Sequence, residues 1–480
     1  MVKINKNERI CLLITILTFL FHLIFLNFYP VNFEFTFSEG GKYIDSFEKK
    51  IIDNYFYNQA NTFGFPLLIG LIDKFFFIDN TLITGRLLSA SSYLFFGLGF
   101  INVFRYYKIT ISSYFFILFF FLNPLIWTYG FRGIPDLFAT SIAFFSFSNI
   151  LDLKNLKSFK SYFNFAIIGI SVCIKPFCLI YLGLIFLLKY NKELFSFIQH
   201  YFVVFTISLF FPIIYFIMIK INFGFFLIPE KFTNIAFLRG GLFNNLLGYF
   251  IILSLFILPL SFKKKFINLR NFFIILLVIV PSSFFLDHVI NSPQGELNFG
   301  SLNKILGDKN IFFIGAISFL LLISYLFDYF KIRNKDKKLF NIEFLVIVIL
   351  YIVILSFTRP SQRYLITILP ILMIFFITNT DYRKSKLIFL LVISGHIFFN
   401  IFLMANFYLN ASINKEIIEH LSKKNILKNT LPGSIYSHSF HFFLSNDEKK
   451  YIITTDATNY LKKFHKKFFR LEKKFYLKEL

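Results

Sequence analysis

Cysteine is nearly absent from this chain: Cys11, Cys173 and Cys178 are the three among 480 residues, each inside an apolar stretch. They make neither a metal-ligand spacing nor a disulfide framework. Acid is scarce too, with 26 Asp and Glu against 50 Lys and Arg, a formal net charge of +24. No two adjacent acids occur in the first polar loop, where Ser38 precedes Glu39; a divalent metal stays open without the support of an acidic pair, and the cofactor is unassigned. Internal repeats of the kind that mark many secondary transporters are also missing.

What is present is apolar. The chain is 56% hydrophobic and 21% aromatic, with 77 Phe and a mean hydropathy of +0.67, far outside the range of soluble domains. Most of the Phe are read as lipid-facing or core filler. An excess of Lys and Arg on a polar domain would suit nucleic acid. Here the cations concentrate in short links between apolar runs, which is the topogenic pattern of a membrane protein. Nucleic acid is therefore not expected as a partner, and membrane lipids are.

Apolar runs fall at 10–29, 84–104, 110–128, 134–151, 161–174, 177–188, 196–220, 243–261, 272–286, 310–328, 342–357, 364–379 and 387–408. The first follows Lys3, Lys6 and Arg9 like a signal peptide, but it lacks a small-residue cleavage site and is read as a retained span. The fold expected is an all-α polytopic membrane protein of about 13 transmembrane helices. The basic links, from the amino terminus through Arg105–Lys108, Lys189–Lys192 and Lys263–Arg270 to Arg383–Lys386, are placed in the cytoplasm. Keeping them on one side requires Lys175-Pro176 to be an outward turn between two short arms, within a protein-lined cavity. The first outward loop, 30–83, carries two candidate interfacial helices, one over Ile44–Tyr55 and one over Phe63–Ile78. Residues 1–408 form the transmembrane domain, and 409–480 a polar outward tail or small domain with β-like runs such as Tyr451–Thr455. Accordingly, a cysteine placed at Ser434 should label from outside and one at Ser261 should not. The reverse pattern would overturn the topology.

This topology collects Glu39, Tyr43, Asp45, Arg86, Arg132, Asp136, Lys175, Arg359 and Arg363 at the outward face. One or two acids among several cations suit transfer from a lipid phosphate. The acid, Glu39 or Asp45, takes the proton of an acceptor hydroxyl or amine. The cations Arg363, Arg359, Lys175 and Arg132 stabilise charge on the leaving phosphate, arginine being favoured for its bidentate fork. Tyr43, Arg86 and Asp136 are supporting residues. Alternatively, Arg132 and Asp136, four apart, simply pair with each other.

In order along the chain stand Ser38-Glu39 through Tyr43, Thr62-Phe63-Gly64-Phe65-Pro66, Gly85-Arg86-Leu87-Leu88-Ser89, Asn123-Pro124 then Asp136, Lys175-Pro176, and Arg363-Tyr364-Leu365 with Pro370. Over about residues 10–400 this order resembles the polyprenyl-phosphate-dependent GT-C glycosyltransferases, notably bacterial relatives of the protein O-mannosyltransferases and the lipid A aminoarabinose transferases. The resemblance implies a GT-C-like bundle in a bacterial inner membrane, with the active site facing the periplasm. It implies an inverting transfer in cell-envelope glycan synthesis from a polyprenyl-phosphate-linked sugar donor to a lipid, glycan or protein acceptor. Glu39 then takes the base position and Arg363 a phosphate position. Because Ser38 stands where many members have an acid, the base remains open between Glu39 and Asp45. Two other classes fit a polytopic chain. A polysaccharide polymerase or ligase is expected to carry its chemistry in a large late loop. A transporter or flippase is expected to show repeats and deep charges in several spans.

Overall fold

The computed structural model describes residues 6–26, 37–38, 40–41, 63–76, 78–109, 113–153, 158–189, 194–226, 242–257, 318, 322–323, 326, 342–358, 361–379, 386–426, 430–431, 450–468 and 471–479. Within these the helices are α1 (Lys6–Ile24), α2 (Gly64–Phe76), α3 (Thr81–Tyr106), α4 (Ser113–Phe121), α5 (Pro124–Gly130), α6 (Pro135–Leu151), α7 (Phe159–Ile174), α8 (Ile180–Lys189), α9 (Leu194–Phe223), α10 (Leu242–Ile257), α11 (Ile342–Ser356), α12 (Leu369–Asn379) and α13 (Lys386–Lys423). A small sheet closes the chain: β1 (Thr430–Leu431), β2 (Tyr451–Thr454), β3 (Lys462–Phe468) and β4 (Leu471–Glu479), in the order β1-β2-β4-β3.

Among the described residues four helical segments are long and apolar enough to cross a membrane: Lys6–Ile24, Thr81–Tyr106, Tyr201–Phe223 and Ile393–Lys423. Pairing α5 with α6, which meet at a bend of 111°, makes a fifth. The apolar run at 110–128 holds two helical pieces. Pro124 lacks a backbone N–H and Asn123 caps the new helix by accepting from the Leu125 N–H at 3.1 Å, so the chain breaks into α4 and α5. The run at 364–379 also splits, into a 3-10 turn over Gln362–Thr367 and the shorter α12.

Side-chain contacts sort the bundle into two ends. At one end Glu8 of α1 holds Arg105 of α3 at 2.7 Å, Asn149 of α6 donates to Asn164 of α7 at 3.1 Å, and the Lys189 ammonium reaches the Leu151 carbonyl at 3.4 Å. At the other end Arg86 donates to the Leu26 carbonyl at 2.6 Å, and Lys175 meets Asp136. The arms α7 and α8 thus both return to the end that holds Arg105 and Lys189. Lys175 stands between them in extended backbone at the opposite end, the geometry expected of a hairpin.

The Lys175 end is closed by α2. Its buried face, Phe65, Pro66, Ile69 and Asp73, packs inward while Phe75 and Phe76 are exposed. Gly64 permits the contact, since a Cβ there would lie 2.1 Å from the Cys173 carbonyl oxygen. Asp73 accepts from the Thr84 hydroxyl at 2.7 Å and fixes α2 to the start of α3. The other candidate interfacial helix, Ile44–Tyr55, lies outside the described residues.

α13 continues without a break past Tyr408. At 1.5 Å per residue its 38 residues extend about 57 Å. One stripe of it follows the α4–α5 segment upward. His396 lies against Phe119, Asn400 donates to the Leu122 carbonyl, Met404 accepts from Trp127, and Phe407 meets Arg132. The next turns, at Ile413, Ile417 and Leu421, bury the inner face of the sheet through Ile453, Phe464, Phe475 and Leu477. The sheet therefore leaves the bundle at the end that holds Arg132, Asp136 and Lys175.

Candidate functional site

Asp136 opens α6 directly after the bend, where Pro135 starts the helix. Its carboxylate is buried and lies 2.7 Å from the Lys175 ammonium, whose side chain is 11% exposed. Asp136 therefore pairs across the bundle with Lys175 and not with Arg132 in the turn before α6. The same ammonium stands 4.6 Å from the centroid of the Tyr364 ring and 5.3 Å from that of Phe177. The Arg363 guanidinium lies 5.5 Å from the Tyr364 ring. The electron-rich face of an aromatic ring attracts cations, and Tyr364 has both positive groups within 5.5 Å of its ring centroid.

Arg363 and Tyr364 ride on the 3-10 turn, a segment without the regular α-helical hydrogen-bond ladder at the end of an apolar bundle. Backbone groups there need partners because lipid supplies none, and three tyrosines from three helices provide them. Tyr249 of α10 accepts from the Ser361 N–H at 2.9 Å, Tyr351 of α11 donates to the Tyr364 carbonyl at 2.8 Å, and Tyr181 of α8 donates to the Thr367 carbonyl at 3.0 Å. Thr140 of α6 approaches the Thr367 hydroxyl at 3.5 Å. Arg363 is thereby tied to the elements that carry Asp136 and Lys175.

Arg132 and Arg86 belong to the same end but face elsewhere. Arg132 lies 4.7 Å from the Phe407 ring and 5.3 Å from that of Tyr129. Arg86 is 1% exposed and joins the start of α3 to the end of α1. Their backbones are drawn together at Gly133, where a Cβ would sit 2.9 Å from the Gly85 carbonyl carbon. Glu39, Tyr43, Asp45 and Arg359 lie outside the described residues. The chain on either side of Glu39 is anchored on α2: Phe37 packs edge-on to Phe65 with centroids 5.8 Å apart, and a Cβ on Gly41 would lie 2.6 Å from Ile69. Among the described residues no three His, Cys, Asp or Glu side chains gather as a metal-ligand set.

Sequence reasoning did not pick out Tyr249, Tyr351, Tyr181 or Thr367. Each is a polar group inside an apolar run, and that isolation is the signal that marks a buried hydrogen bond.

An apolar cavity of about 230 Å³ lies among α10, α11 and α12, lined by Phe250, Leu253, Leu345, Val348, Leu372 and Phe376 among others. Phe250 adjoins Tyr249, and Val348 stands one helical turn before Tyr351, so the cavity shares two helices with the tyrosines that hold the 3-10 turn.

The described architecture is that of a helical membrane protein with a polar cluster at one end of its bundle. No family model and no curated protein matches the chain. The apo crystal structure of ArnT from Cupriavidus metallidurans is similar over 87% of this chain and 80% of its own, at 11% identity and a TM-score of 0.41. So distant a likeness assigns no family.

Proposed function

We propose that the chain is an integral-membrane glycosyltransferase of the GT-C kind, moving a sugar from a polyprenyl-phosphate donor to a lipid, glycan or protein acceptor at the non-cytoplasmic face. The observation that carries this reading is that Lys175, paired with Asp136, and Arg363 both approach the Tyr364 ring, from places far apart in sequence. Two cations at the end of a bundle that also holds an apolar cavity would suit a ligand with an anionic head and a hydrocarbon tail. Arg363 and Lys175 would meet the phosphate, Arg359 and Arg132 would add positive potential, and the prenyl chain would enter the cavity lined by Leu345 and Val348.

In this mechanism Glu39, or Asp45 in its place, removes the acceptor proton as its oxygen attacks the anomeric carbon from the face opposite the phosphate. The bond to the phosphate oxygen breaks, and the polyprenyl phosphate leaves with its charge met by Arg363. Such preorganised cations act at the moment charge develops. Tyr43 and Arg86 would support the loop and the helix ends around this centre.

Arg363→Ala should cut turnover with a polyprenyl-phosphate sugar by about 10²-fold or more while acceptor affinity changes little. Arg363→Lys should recover part of the loss, since an ammonium lacks the guanidinium fork. Steady-state transfer by purified protein, titrated separately in donor and acceptor, measures both. Normal turnover in both variants would remove the phosphate role from Arg363.

A further inference from the structure

The 3-10 turn that bears Arg363 and Tyr364 holds itself weakly. Two of its own bonds, from the Tyr364 N–H to the Ser361 carbonyl and from the Ile368 N–H to the Leu365 carbonyl, are 3.2 Å long, and 3-10 hydrogen bonds have the poorer geometry. Nor can α12 wind backward to absorb the turn. The Leu372 N–H bonds the Ile368 carbonyl at 2.9 Å, but Pro370 has no N–H to offer the Ile366 carbonyl. In a continued helix the Tyr364 carbonyl would accept from the Ile368 N–H. That donor has turned to Leu365, and the Tyr364 carbonyl takes the Tyr351 hydroxyl at 2.8 Å.

The Tyr351 hydroxyl belongs to a longer chain. It also reaches the Thr367 hydroxyl, which Thr140 of α6 approaches at 3.5 Å. A hydroxyl has one proton to give, so the chain has one consistent direction: Thr140 donates to Thr367, Thr367 to Tyr351, and Tyr351 to the Tyr364 carbonyl. Thr140 stands one turn along α6 from Asp136, Asp136 holds Lys175, and the Lys175 ammonium lies 4.6 Å from the Tyr364 ring centroid. These contacts close on themselves, from Tyr364 through the hydroxyls to α6 and back through the ion pair to Tyr364. Thr140, Thr367, Tyr351 and Asp136 are all buried. Tyr351 is the link at which this circuit passes from side chains to the backbone that bears Arg363.

We propose that Tyr351 is a positioning residue for the binding of an anionic headgroup. By tying the Tyr364 carbonyl to α6, its hydroxyl sets the spacing between the Arg363 guanidinium and the Lys175 ammonium. The guanidinium fork is directional, so a lost aim costs hydrogen bonds to a phosphate. The inference rests on the reading of these two cations as a phosphate site. Tyr351 spends its own proton on the backbone and is not itself a phosphate contact.

The test measures equilibrium binding of undecaprenyl phosphate, and separately of the uncharged undecaprenol, to full-length protein in nanodiscs. Tyr351→Phe keeps the ring, and Tyr249 and Tyr181 still hold the Ser361 and Thr367 ends of the turn. It should weaken the phosphate about 10-fold, the worth of one buried hydrogen bond, and leave the alcohol unchanged. Thr367→Val keeps its shape, breaks the chain one link earlier, and should weaken the phosphate alone by about 3-fold. With Arg363→Ala already in place, Tyr351→Phe should cost less than about 2-fold, because residues that act through one another are not additive. Unchanged phosphate affinity in both single variants would overturn the proposal. So would an equal loss for the phosphate and the alcohol, or an equal loss with and without Arg363, each of which marks a general support of the fold. Arg363→Ala binding the phosphate as tightly as the unaltered protein would be a different failure, removing the phosphate site and this role of Tyr351 with it.

Discussion

Glu39→Gln is expected to lower turnover by roughly 10²–10⁴ while the protein inserts and folds normally. The substitution keeps size and hydrogen bonding and removes the basic oxygen. Phe37 on Phe65 and Gly41 on Ile69 pin the chain on both sides of Glu39 to α2, and α2 rests on Cys173 and Ile174 beside Lys175. Asp45→Asn should have a clearly smaller effect, because Lys42 and Lys49 are close enough in sequence to satisfy that carboxylate. Single-turnover transfer from a polyprenyl-phosphate sugar separates the two. A dead Asp45→Asn protein beside an active Glu39→Gln protein would move the base to Asp45, and two active variants would end the acid–base mechanism.

The second large effect concerns the buried pair. Asp136→Asn leaves the Lys175 ammonium without its counter-charge, and Lys175→Met does the same to the carboxylate. Either should cost about 3–5 kcal/mol, since breaking a buried ion pair on one side strands the other charge. The double variant removes both charges and should regain most of that stability, as read by thermal melting in detergent. Transfer should not return with it if Lys175 serves the leaving phosphate. A double variant both stable and active would leave the pair a purely structural role and withdraw Lys175 from the mechanism.

Much of the helical order was legible in the sequence because a run of apolar residues has few alternatives in lipid. The runs at 84–104 and 196–220 fall within α3 and α9, and 134–151 matches α6 to one residue. Hydropathy alone did not show the interruption at Asn123-Pro124 within 110–128, since its cause is local hydrogen bonding and a missing donor, neither of which changes apolarity. The 3-10 turn under Arg363 was hidden for a similar reason: its backbone is satisfied by tyrosines as distant in sequence as Tyr181. Asp136, Lys175 and Arg363 could each be singled out as charges at the edges of apolar runs. That Asp136 would choose Lys175 over Arg132 depends on how α6 and α7 pack, which no spacing within one helix encodes. Tyr364 stood inside the Arg-Tyr-Leu element, yet its part as a platform for two cations appears only once Lys175 arrives from another hairpin.

The unbroken course of α13 sets the bearing of the sheet as well as its height. A helix turns about 100° for each residue, and the stripe through Asn400, Met404 and Phe407 fixes its rotation against the bundle. The azimuth of Ile413, Ile417 and Leu421, and of the strands they carry, follows from that setting. One residue inserted between Phe407 and Ile413 would leave every span intact and swing the sheet through more than a quarter of a circle. Two would nearly reverse it. In this chain angular aim is stored as a residue count.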